Sequence, residues 1–170
     1  MSIHDEISEH LQAGKLAAFR PPGRKPAKRA LFLSEDAQKD LNNPQSAVCL
    51  LVGRGFLEAA MARWVTGGRV YGAPRFLCRL DPPPKEIWEI RVTEPREQQA
   101  RLFCRFAAPD TLIVTAMRTR ALLRAYGSPN WASAMARYES AWQQLFPQHQ
   151  PFSGRRMSDY VLENCDDFEL

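Results

Sequence analysis

The stretch KEIWEIRVT (85–93), EPREQQ (94–99), ARLFCRFAAPD (100–110), TLIVTAMRTR (111–120) decides the fold. Three runs rich in β-branched and aromatic residues are separated by breaks that carry proline and charge, the pattern of consecutive antiparallel strands. Alternation sorts their side chains. Trp88, Ile90 and Val92 share one face with Leu102, Cys104 and Phe106, and then with Leu112, Val114 and Ala116. The other face carries Glu89, Arg91 and Thr93, then Arg101, Phe103 and Arg105, then Ile113, Thr115 and Met117, with Arg118 and Arg120 at the exit of the last strand. The expectation is a half-buried sheet with a greasy face inside and an arginine-bearing face outside.

Working outward, residues 2–13 read as a short helix capped by Ser2 and Asp5, with Ile3, Ile7 and Leu11 on one stripe. RPPGRKPAKR (20–29) is too rich in proline and basic residues for a regular element and reads as an arm or linker. RALFLSEDAQKDL (29–41) gives a strand over Ala30–Leu33, then a helix capped by Ser34 with Glu35 and Asp36 at its positive end. A longer helix is expected from about Gln45 to Val65, weakened at Gly53 and Gly55. A connection with a brief strand at Arg75–Leu80 leads to Pro82–Pro84.

Beyond the three strands, SPNWASAMARYESAWQQLF (128–146) is the clearest helix. Ser128 caps it, Pro129 takes its first position, and Trp131, Met135, Tyr138, Trp142 and Leu145 form its stripe. The division that follows is an N-terminal helix and basic arm (1–28), an α+β domain (29–146) and an acidic tail (147–170).

At 170 residues, 45% of them apolar, the chain can bury a sizeable core. No run approaches the ~18–20 apolar residues of a membrane span, and the polar start MSIHDEISEH is not a secretory signal. Cys49, Cys78, Cys104 and Cys165 form no Cys-x-x-Cys pair and read as reduced thiols of a cytoplasmic protein, with no metal site. The net charge of +4 is split between a basic, arginine-rich body and an acidic tail, which points to an anionic partner. In residues 157–170 five acidic side chains and no basic ones interleave with Met157, Tyr160, Val161, Leu162 and Phe168. Folding of this tail over the arginine face is one expectation; a helix packed elsewhere is the other.

From residue 29 onward the order strand, helix, helix, connection, three antiparallel strands resembles the RelE/HigB superfamily of toxin–antitoxin ribonucleases, above all its phage Gp49-like branch. RALFLSEDAQKDL is similar to that family's opening strand and helix, GGRVYGAPRFLCRL to its glycine- and proline-bearing connection, and IWEIRV and ARLFCRF to its central strands. The resemblance covers roughly residues 29–120. It departs at Ala100, where the family has an aromatic residue, and at Arg118 and Arg120, where it has paired lysines.

The resemblance implies an α+β, RelE-like fold: an antiparallel sheet of about four strands on two N-terminal helices, with an additional C-terminal helix here. It also implies a metal-independent mRNA endoribonuclease without a cofactor, acting on mRNA at the ribosome and held by a small antitoxin, with no membrane partner. Cleavage would drive the ribose 2′-hydroxyl at its phosphate, which needs cations for the transition-state charge and a proton acceptor and donor. Arg91 and Arg101 match the family's arginine positions. Arg105, Arg118 and Arg120 complete an RNA-binding set, while Arg137 on the late helix falls outside it. For proton handling the candidates are Tyr126 and Glu89; His4, His10 and His149 all lie outside the matched region.

Two other readings stand beside this one. The first is a non-catalytic member of the same fold that binds RNA or protein, favoured by the thin acid–base inventory. The second is an acyltransferase, from the Gly-x-Gly of LLVGRGFLEAAM (50–61).

Overall fold

A computed structural model describes residues 1–23, 25–70, 76–80 and 85–170. Its centre is a six-stranded sheet of β1 (Leu16–Ala18), β2 (Ala30–Ser34), β3 (Leu77–Arg79), β4 (Trp88–Val92), β5 (Ala100–Ala108) and β6 (Thr111–Thr119). The order across it is β1-β2-β6-β5-β4-β3. The sheet is mixed: β2 runs parallel to β6 and every other pairing is antiparallel. Where an antiparallel sheet of about four strands is expected, the sheet is mixed and has six: β3 falls within the brief strand expected at Arg75–Leu80, and β1 is an edge strand that the sequence did not announce. The opening strand β2 lies one in from the edge, between β1 and β6, and carries apolar residues toward both sides: Leu31 and Leu33 go into the main core, and Phe32 packs against the second face. Arg75 and the Pro82–Pro84 run lie outside the described residues.

On the first face pack α2 (Glu35–Asn42), α3 (Ala47–Leu51) and α4 (Arg54–Val65), over Trp88, Ile90, Val92, Leu102, Cys104, Phe106, Leu112 and Val114. Ser34 caps α2 through its hydroxyl, and Ser46 does the same for α3. The single helix expected over Gln45–Val65 is two, because Gly53 has φ +97, which L side chains rarely adopt. Gly55 sits inside α4 with open space around it. Gly53→Ala is therefore expected to cost about 1–3 kcal/mol, while Gly55→Ala stabilises by up to ~1 kcal/mol. Urea unfolding of the two variants reads the opposite signs, and equal shifts would remove the backbone explanation.

The second face is covered. Helix α6 (Pro129–Leu145) lays Trp131, Met135 and Tyr138 over Phe103 and Ala116, and Trp142 with Phe146 over Ile113 and Ala107. The tyrosine stacks on Phe103 with ring centroids 4.2 Å apart. Helix α1 (Ile3–Gln12) adds Ile7 to the same side, with the capping box expected at Ser2 and Asp5. Each of these buried side chains contributes roughly 1.5–3 kcal/mol, so the arginine-bearing face is the inside of a second layer and not an open surface. The face assignment also changes at one point. A bulge sets Phe103 opposite Ala116 but Cys104 opposite Val114, leaving Thr115 as an extra residue. Ala116 consequently packs under α6 and Met117 joins the main core, the reverse of strict alternation.

The acidic tail does not lie over the arginines. Helix α7 (Met157–Tyr160) and Val161 are buried in the main core, on the other side of the sheet. The acids of the tail are met there by Arg156, which pairs with Asp167 at 2.8 Å, and Arg69, which pairs with Asp166 at 2.6 Å. The arm at 20–29 has no regular element where it is described, but its last residue is fixed. Arg29 is buried, donates to the carbonyls of Gly68 and Glu163, and faces Asp110 at 3.4 Å. All four cysteines are free thiols. Among the described residues no helix is long and apolar enough to cross a membrane.

Candidate nucleic-acid interface

Strand register places three of the sequence-derived arginines side by side. Arg91 on β4 is opposite Arg101 on β5, which is opposite Arg118 on β6. Like charges facing each other across strands repel, so the row needs counter-charges. Glu89, one step inside it on β4, supplies the first. Its Oε1 accepts from the Arg91 Nε at 2.7 Å and lies 3.4 Å from the Arg101 Nε. Asp40 on α2 supplies the second, accepting from the Arg118 guanidinium at 2.8 Å and from the Met117 amide at 3.2 Å.

The three arginines differ in how much they can offer a ligand. Arg101 is only 8% exposed and spends its remaining donors on the Ala100 carbonyl and the Gln99 side chain. Burial holds its guanidinium below the usual arginine range, with Glu89 pulling the other way. Arg91 is half-buried; against the lowering effect of burial, the hydrogen bond and charge of Glu89 leave it above that range. Arg118 is half-buried as well, and its other face opens on a cleft.

That cleft, about 330 Å³, runs between α5 (Arg120–Leu123) and α6 and is lined by Arg118, Leu122, Asn130, Ser133, Arg137 and Tyr138. A smaller one of about 200 Å³ adjoins it across Arg118 and Leu122, walled by Asp40, Val48 and Thr119. Tyr138 is the feature that sequence reasoning missed. Its hydroxyl is buried at the cleft and makes no hydrogen bond. Burial pushes it up to about 12 against the pull of Arg118 and Arg137, so it is a proton donor at neutral pH. Arg137, set aside on the sequence, is exposed at the same cleft. The signal was present in the helical period: Tyr138 lies on the buried stripe of α6, and its neighbour in sequence falls at that stripe's margin. Arg120 stands half-buried at the exit of β6 with its guanidinium on the Arg124 carbonyl, and Arg96 and Arg124 are exposed.

The remaining candidates are elsewhere. Tyr126 is 55% exposed, packs its ring on Trp131 at 4.9 Å and does not line the cleft. Arg105 faces Ile113, four residues along β5 from Arg101 and beyond a bulge, and lines a different cleft beneath the C-terminal half of α6. Glu89, a proton-handling candidate, is committed to two arginines. In the acyltransferase reading, the Gly-x-Gly follows helix α3 where a pyrophosphate-binding turn needs a strand. Among the described residues no group of three or more His, Cys, Asp or Glu side chains is placed to hold a metal ion.

Comparison of the chain with protein-family models, with curated proteins and with solved structures finds no match.

Proposed function

We propose that this chain is a non-catalytic RNA-binding relative of the RelE/HigB toxins, holding phosphates where Arg91, Arg118, Arg120 and Arg137 converge at one end of the sheet. The observation that carries this reading is the cross-strand row of arginines beside a cleft that adds Arg137 and an unpaired tyrosine hydroxyl. Arginine's planar fork suits phosphate oxygens, and a buried hydroxyl with no internal partner is a ready donor to them. The RelE-like order of strand, helices and three antiparallel strands supports the same kinship. Cleavage is the weaker half of the resemblance, because Glu89 is neutralised from two sides and Tyr126 points its ring at Trp131. Tyr138 favours a second reading, the mRNA-cleaving toxin with an antitoxin partner, since a tyrosine held neutral beside two arginines can protonate a leaving oxygen.

Binding to single-stranded RNA, followed by fluorescence anisotropy over a range of salt, tests the proposal. Replacing Arg118, Arg120 and Arg137 together by alanine should lower affinity about 10²-fold and flatten the log–log salt slope by roughly two units, at ~0.7 per phosphate contact. Arg137→Ala alone, on an exposed position, should flatten it by less than one unit without altering the melting temperature. Unchanged slopes in both proteins would rule out this end of the sheet. The second reading is checked in the same tubes: RNA shortened by the wild type and left intact by Tyr138→Phe would restore the enzyme.

A further inference from the structure

The cleft beneath the C-terminal half of α6 holds a buried cation with no anion of its own. Arg105 is 6% exposed; one terminal nitrogen donates to the Lys85 carbonyl at 2.8 Å, while its Nε makes no hydrogen bond. Two carboxylates act on it from a distance, and each is held by another cation. Glu139 pairs with Lys85 at 2.8 Å. Glu86 faces Arg79 at 3.3 Å and also takes the Trp88 indole N–H and the Tyr160 hydroxyl. The guanidinium also lies over the Trp142 ring, 5.9 Å from its centroid, but a buried charge without a counter-ion is costly, and an incoming anion would relieve that cost.

The space in front of Arg105 fits a ligand larger than an ion. The cleft measures about 420 Å³, within the range of small-molecule sites. Trp142, Phe146 and Pro151 give it an apolar wall, and Gln143, Gln150 and His149 bring polar groups to it. The imidazole Nε2 of His149 makes no hydrogen bond and lies 3.8 Å from Glu6, whose second carboxylate oxygen is also without a partner. Two buried polar atoms lacking hydrogen-bond partners, Arg105 Nε on β5 and His149 Nε2 in the loop after α6, thus belong to residues that line this cleft, while Glu6 on α1 stands behind His149 and not at the cleft itself.

We propose that this cleft binds a small organic anion, its carboxylate or phosphate paired with Arg105 and its apolar body laid against Trp142 and Phe146. The site is separate from the arginine row and does not depend on RNA binding there.

Thermal unfolding of the full chain tests this with three probes at 10 mM: inorganic phosphate, benzoate and adenosine 5′-monophosphate. A ligand that binds only the folded state raises the melting temperature, by about 4 °C or more once it is well above its Kd. Benzoate or the nucleotide should give that shift, the two together separating a carboxylate source from a phosphate one, and phosphate alone should give less. Arg105→Met should abolish the shift while melting no lower than the wild type, since a shape-filling apolar residue replaces an unpaired charge. Gln150→Ala, on the exposed rim, should fold normally and reduce the shift. No shift with any probe, a shift retained in Arg105→Met, or equal shifts with phosphate and the larger probes would each overturn the assignment.

Discussion

Glu89→Ala is expected to destabilise the protein by about 3–5 kcal/mol, a fall in melting temperature on the order of 10 °C for a chain of this size. Glu89 sits under α6 with its side chain 3% exposed, and one of its oxygens serves both Arg91 and Arg101. Removing it leaves Arg101 buried, facing Arg91 on one side and Arg118 on the other with no anion between the first two. Loss of one member of a buried ionic group costs far more than the group contributes, because the surviving charge stays desolvated. The double variant Glu89→Leu/Arg101→Met should recover most of the loss. Recovery would identify the penalty as uncompensated charge and not lost packing. A Glu89→Ala protein that melts within 2 °C of the wild type would mean that the row holds itself together some other way. The same reasoning separates stability from recognition along the row. Arg101→Ala should weaken the fold, whereas Arg137→Ala should weaken RNA binding alone.

Much of this architecture is legible in the residues. Ser34, Ser128 and Pro129 mark helix starts that the structure keeps, and the alternation through Trp88–Val92 and Leu102–Phe106 names the main core. What alternation cannot say is what lies on a face. Arg101 and Arg105 look solvent-facing because charged residues usually are, yet Phe103 and Ile113 stand among them on that face. The stripe of α6 had to bury itself against some apolar surface. Those two facts together place α6 over the arginines. The bulge at Thr115 is harder to see: one extra residue reverses the parity beyond it, and nothing in Thr-Ala-Met prefers either side. Long-range placements were out of reach. The β2–β6 parallel pairing joins residues about eighty apart in sequence, and His149 meets Glu6 only because α1 and the end of α6 pack on one face.

Tyr160→Ala is expected to cost about 3–5 kcal/mol, a larger loss than the charge and position of the tail would suggest. Its five acids mark the tail as solvated on sequence, but Tyr160 is wholly buried. Its ring lies 4.7 Å from that of Trp88, 4.9 Å from Phe106 and 5.4 Å from Phe152. The hydroxyl donates to Glu86 at 2.8 Å and accepts from the Gly154 amide at 2.6 Å, while the backbone carbonyl takes the Asp110 amide at the β5–β6 turn. One residue therefore ties the tail to the core aromatics, to a buried carboxylate and to the central hairpin. Tyr160→Phe keeps the ring and should lose only about 1–2 kcal/mol, since Glu86 retains Arg79 and the Trp88 indole. Deleting residues 157–170 uncovers Trp88 and Phe106 and should abolish cooperative unfolding in urea. If instead the truncated chain unfolds cooperatively at an unchanged midpoint and binds RNA more tightly, the tail would be a restraint on the arginines. Its burial on the opposite side of the sheet makes it a structural element of the main core.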